Sequence, residues 1–159
     1  MPNWCEGSLR IRGKKDNIRN FLKNEIVCTN YEENAKKPEI EEDDEHEYLI
    51  LRSTTNDFYI NDTYRNFIFK NQIEAYFCDH ENDEDYIINI DCFNSAWALR
   101  SDGWVDHAKK YNLDFRMFGY EQGIQFSQVM TILRDGSVSE ETQQYNDWYW
   151  DCPFPNMGG

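Results

Sequence analysis

The chain has 159 residues, about one domain's worth, of which 40% are hydrophobic and 16% aromatic, and its formal net charge is -14. Aromatic side chains bury about 150–250 Å² each, so there is ample material for a core, and disorder along the whole length is excluded despite 29% charged residues. A surface this acidic repels nucleic acid and anionic lipid, which carry phosphate charge, and attracts basic proteins.

Residues 1–30 contain no apolar run of signal-peptide length, because Arg10, Arg12, Lys14 and Lys15 interrupt the best stretch. No window approaches the ~20 apolar residues of a membrane span. The five cysteines, Cys5, Cys28, Cys78, Cys92 and Cys152, are odd in number and irregularly spaced. Together these features predict a cytoplasmic protein with reduced thiols.

In chain order, Ser8–Arg12 alternates Leu9 and Ile11 with Arg10 and Arg12, the pattern of a half-buried strand that Gly13 ends. Asp16–Val27 carries Ile18, Phe21, Leu22, Glu25 and Ile26 at helical spacing. Residues 29–47 are polar and acidic and predict a long loop. Tyr48–Arg52, Phe58–Ile60, Arg65–Phe69, Ile73–Cys78 and Tyr86–Phe93 are rich in Phe, Tyr and Ile, which favours strands.

Ser101-Asp102-Gly103 predicts the start of a second helix, with Asp102 capping it. Trp104, Val105, Ala108 and Tyr111 then form its apolar stripe, and Lys109 and Lys110 suit its C-terminal dipole. Leu113–Phe118 alternates again. Ile124–Leu133 and Ser137–Gln144 flank Asp135-Gly136, a hairpin signal. The aromatic tail 145–159 is expected to pack back on the domain, with Tyr145, Trp148, Tyr149 and Trp150 either closing the core or forming an interface hot spot.

This order predicts one α+β domain over 1–159: a ferredoxin-like split βαβ antiparallel sheet, two helices on one face and an added C-terminal β-hairpin. Acidic insertion loops are expected at about 29–47 and 79–85.

Three stretches carry a family resemblance. Met1-Pro2-Asn3-Trp4-Cys5 leading into a strand, Ser95-Ala96-Trp97, and Tyr120-Glu121-Gln122-Gly123-Ile124-Gln125-Phe126 leading into the Asp-Gly hairpin resemble the YubB-like ferredoxin-fold family of phage and plasmid proteins. The aromatic tail Trp148–Pro155 suits that pattern, while residues 29–90 offer no match and Ala98-Leu99-Arg100 departs from the prolines common after the family's Trp. The resemblance implies the fold and a mobile-element origin, and no catalytic residues.

Motifs for catalysis are missing from the sequence: there is no nucleophile elbow, P-loop or dinucleotide glycine pattern. Cys78-Asp79-His80 with Cys92 lacks the paired spacing of structural zinc, and 79–91 lacks the Gly and bidentate Glu of a calcium loop. No metal or other cofactor is expected.

The charge is clustered. Residues 32–47 hold nine acidic side chains against two lysines, and 79–91 hold six against none, whereas 1–30 hold six basic against three acidic. Within the clusters carboxylates alternate: Glu39, Glu41, Asp43, Glu45, Glu47, then Asp79, Glu81, Asp83, Asp85. In an extended chain alternate side chains stand about 6–7 Å apart on one face, near the spacing of phosphates along a nucleic-acid strand.

These stretches read either as solvated loops that keep the chain soluble or as a partner-binding surface. The second reading predicts a non-enzymatic nucleic-acid mimic of a mobile element. Such a protein would inhibit a basic, nucleic-acid-handling host protein, for example a CRISPR or other defence nuclease, without touching nucleic acid or membrane. The alternative is a small-ligand protein that binds or sequesters a signalling nucleotide between aromatic walls and Arg10, Arg12 or Arg116.

Overall fold

The computed structural model describes residues 2–29, 36–78 and 84–159. Strand β1 (Trp4–Gly13) lies between β8 (Tyr86–Ala96) and β9 (Asp114–Glu121) and pairs antiparallel with both. Its alternation sends Cys5, Leu9 and Ile11 into the core and leaves Arg10 and Arg12 outside. Gly7 is required where β1 passes β9, since a Cβ there would meet the Phe118 carbonyl oxygen at 1.9 Å.

Helix α1 (Lys15–Glu25) buries Ile18, Phe21 and Leu22, at i, i+3 and i+4. It ends where β2 (Ile26–Cys28) begins. Helix α2 (Trp104–Tyr111) buries Trp104, Ala108 and Tyr111. The two helices share an aromatic seam over the sheet: Phe21 meets Tyr111 edge-on, and both Phe21 and Trp104 stand 5.0 Å from Phe115 of β9.

Asp102 does not cap α2; its carboxylate takes Arg100 instead. Gly103 is the N-cap residue, at φ 79°, and a Cβ there would lie 1.7 Å from the Asp62 carbonyl oxygen. The close approach of Asp62, remote in sequence, decides the cap.

The expected ferredoxin-like fold is not the one observed. Strands take 46% of the described residues and helices 16%. The main sheet has eight strands in the order β11-β10-β9-β1-β8-β6-β5-β2, and β3-β4-β7 form a second sheet. Here β3 is Glu39–Glu42, β4 Tyr48–Arg52, β5 Phe58–Ile60, β6 Asn66–Ile68, β7 Gln72–Tyr76, β10 Phe126–Ile132 and β11 Val138–Gln144. A split βαβ pattern places two strands between its helices, but seven lie between α1 and α2. The middle of the chain overturns the expectation: β5 and β6 enter the main sheet between β8 and β2, and β3, β4 and β7 leave it.

Leu49, Leu51, Ile73 and Ala75, from the inner face of the small sheet, join the same core cluster as Leu9, Phe21 and Phe115. Beyond β11 the chain forms a single turn, α3 (Trp148–Asp151), that buries Trp148 against Tyr145, Cys152 and Tyr120. The Trp148 indole N–H donates to the Pro155 carbonyl (2.7 Å). Trp4 and Gly159 then exchange backbone hydrogen bonds at 3.2 and 3.1 Å.

One ionic cluster ties four segments. Asp114 accepts from Arg12 (2.8 Å) and from the backbone and guanidinium of Arg134, which also reaches Asp85 (2.7 Å). Burial raises the Asp114 carboxyl, but the Arg134 and Arg12 hydrogen bonds outweigh it and bring it down to about 2. A depressed folded-state pKa stabilises above the ordinary carboxylate range and loses that contribution as pH falls through it. Replacement of Asp114 by Asn should therefore cost about 2 kcal/mol at pH 7, a difference that shrinks as pH drops from about 5 towards 2; urea denaturation across that range measures it.

Candidate functional site

The acidic surface is built on the small sheet. In its register Glu39 faces Arg52 and Glu41 faces Ile50 across β3 and β4, while Tyr48, Ile50 and Arg52 face Tyr76, Glu74 and Gln72 across β4 and β7. With a side-chain period of two, these residues share the outer face, and Leu49, Leu51, Ile73 and Ala75 turn inward. The result is a face of carboxylates around two tyrosines and an isoleucine. Arg52, reaching diagonally to Glu41, is its cation.

The negative field is visible in Tyr76. Its hydroxyl donates to Glu74 (3.1 Å), and that bond, the Glu74 charge and the Glu41 charge raise the phenol above its ordinary value.

The expected carboxylates divide into distinct groups. Glu39 and Glu41 lie side by side on β3, a strand where the sequence predicts loop. The alternating row stops there, because residues 43–47 turn back into β4. Asp43 works within that turn, accepting the backbone N–H groups of Glu47 (2.7 Å) and Tyr48 (3.2 Å). Glu45 and Glu47 are exposed in the turn beside the sheet.

Asp85 belongs elsewhere, since it precedes β8 in the main sheet and is engaged by Arg134 and Lys14. Asp79, Glu81 and Asp83 lie outside the described residues. Of the nine expected positions, the structure thus gathers Glu39, Glu41, Asp43, Glu45 and Glu47 and separates Asp85.

Glu42, between Glu41 and Asp43, points the other way. It accepts from Arg19 and from Lys23 (2.9 Å) of α1 and so fixes the small sheet to the helix. The Lys23 bond leads in holding its carboxyl below the ordinary value, with Arg19 adding to it against the cost of burial.

Sequence reasoning missed Glu74, Tyr48 and Tyr76. The alternation Gln72-Ile73-Glu74-Ala75-Tyr76 held the signal, but only the β4–β7 pairing shows which face those side chains join.

Among the described residues no three His, Cys, Asp or Glu side chains converge as metal ligands, and no helix is long and apolar enough to cross a membrane. Comparison with known protein families, curated proteins and solved structures returned no match.

Glu42→Gln leaves the buried Arg19 with only the more distant Asp16 carboxylate (3.7 Å) and should lower stability by about 2 kcal/mol, whereas Glu39→Gln and Glu45→Gln should leave the urea midpoint unchanged. Equal losses at all three positions would mean that the exposed and the engaged carboxylates are not distinct.

Proposed function

We propose that this chain is an acidic, non-enzymatic binding protein that docks on a basic protein through the outer face of its small sheet. The observation that carries the reading is the shared face: Glu39 and Glu41 on β3 and Glu74 on β7 flank β4, and Tyr48 and Tyr76 stand on the same side of the sheet. Glu45 and Glu47 extend its charge along the turn. Tyrosines supply contact area at low entropic cost, and carboxylates steer the approach of a cationic surface.

The spacing of Glu39 and Glu41, about 6–7 Å in a strand, supports a partner whose groove takes phosphates, that is, a nucleic-acid-handling protein. The five unpaired thiols support a cytoplasmic setting. β3 is an edge strand whose acidic side chains discourage pairing with another sheet, which favours face contact over strand addition. Asp85 is not part of this face, because Arg134 holds it beside the main sheet.

The test is capture of partners on the immobilised chain, followed by association kinetics of each captured protein. A variant carrying Glu39→Gln, Glu41→Gln, Glu45→Gln and Glu47→Gln should associate about tenfold more slowly at low salt, and nucleic acid should compete with the chain for its partner. Partners that lack basic surface, or rates that the four substitutions leave unchanged, overturn the proposal.

A further inference from the structure

The other notable surface is cationic. Arg10 of β1 and Arg116 of β9 stand directly opposite each other, on the sheet face turned away from α1 and α2. Both guanidinium groups lie over one ring, that of Phe118, at 4.7 and 5.3 Å from its centroid. Like charges directly opposite across two strands destabilise a sheet. Neither arginine has an ion-pair partner among the described residues, although acidic residues number 30 against 16 basic ones. Arg12, the next outward arginine on β1, is neutralised by Asp114.

The register gives this face an order: Asp114 with Arg12, then Arg116 with Arg10, then Phe118 with Ser8, then Tyr120 with Glu6. At the Tyr120 end the tail folds over, placing Phe154 edge-on to Tyr120 at 5.2 Å. Between them lies a depression of about 500 Å³, lined by Arg10, Ser8, Phe118, Tyr120, Phe154 and Met157 among others. A smaller one of about 160 Å³ continues past Arg10 and Arg116 towards Thr131. Two carboxylates border the larger depression, and each already accepts a hydrogen bond: Glu6 from the Gly158 N–H (3.0 Å) and Asp91 from Asn89 (2.7 Å).

We propose that this groove binds a mononucleotide, its phosphate held by the paired forks of Arg10 and Arg116 and its base lying among Phe118, Tyr120 and Phe154. Guanidinium forks match phosphate geometry in two places at once, and aromatic faces stack any base. The volume falls within the range of small-molecule sites. A polyanionic strand is the weaker occupant, since the net charge of -14 opposes a long phosphate backbone. The groove shares no residue with the acidic face of the small sheet, so the two proposals are tested by different substitutions.

Calorimetric titration of the full chain with the four ribonucleoside 5′-monophosphates and 5′-triphosphates tests the assignment. Inorganic phosphate, the nucleosides and a short single-stranded oligonucleotide serve as the other arms. Saturable binding of at least one nucleotide is expected, tighter than its nucleoside or inorganic phosphate and weakened about tenfold or more by Arg10→Gln with Arg116→Gln. The thermal midpoint of that variant should stay close to that of the unsubstituted chain, because removal of the like-charge pair offsets the lost contacts with Phe118. Should it fail to fold, Arg10→Lys with Arg116→Lys decides, a loss of affinity supporting the fork and an unchanged affinity overturning it. Absence of nucleotide binding, binding that the substitutions leave intact, or binding of phosphate or the oligonucleotide alone would each overturn the assignment.

Discussion

The strict alternation of β1 between its two neighbours governs both faces of the main sheet. Leu9 and Ile11 must meet the aromatic seam of α1 and α2, so Arg10 and Arg12 have no option but the opposite side. A slip of one residue would place guanidinium groups in the core and leucine in water. Burial therefore fixes the register, and the register fixes where the chain's scarce positive charge appears. Asp114 and Arg116 arrive at their positions by the same rule on β9.

The charge of the molecule is sorted by the fold. Carboxylates that enter the interior are bonded there: Glu25 accepts from Lys110 (2.8 Å) and Tyr111, and Glu121 accepts the backbone N–H groups of Gly123 (2.9 Å) and Ile124 (2.6 Å). Glu42 and Asp114 are claimed by arginines from other segments. What remains exposed on the small sheet is the fraction no cation from another segment takes, apart from Glu41, which Arg52 of the same face reaches. Among the described residues, the cationic face of the main sheet has no such partner at Arg10 and Arg116. The two surfaces are chemically opposite on one scaffold, which a net charge alone conceals.

Local structure was legible wherever one segment decides it. The stripes Ile18–Phe21–Leu22 and Trp104–Ala108–Tyr111 announced α1 and α2, and the Asp-Gly pair announced the turn between β10 and β11, where Gly136 takes φ 90°. Pairing between distant segments was not legible. The three-residue strands β5 and β6 carry too little pattern to say that they sit between β8 and β2. The strand β3 was hidden because three of its four residues are glutamates, a composition that reads as loop. Glu42 faces inward only because Arg19 and Lys23 wait there, nineteen or more residues earlier in the chain. Of the expected acidic row, the part confined to β3 was readable, and its interruption by the Asp43 turn was not. The opposed arginines needed the β1–β9 register, which no stretch of sequence contains by itself.

The reciprocal backbone pair between Trp4 and Gly159 makes the first strand and the last described residue a clasp. Segments with few contacts ordinarily open independently, each at a small local cost. Here the tail cannot peel from Tyr120 without releasing the start of β1, and β1 is the strand on which both halves of the main sheet lean. Opening of the 154–159 segment and of the start of β1 is thereby converted into a single shared event, and a segment with little regular structure of its own becomes a keystone of cooperative unfolding.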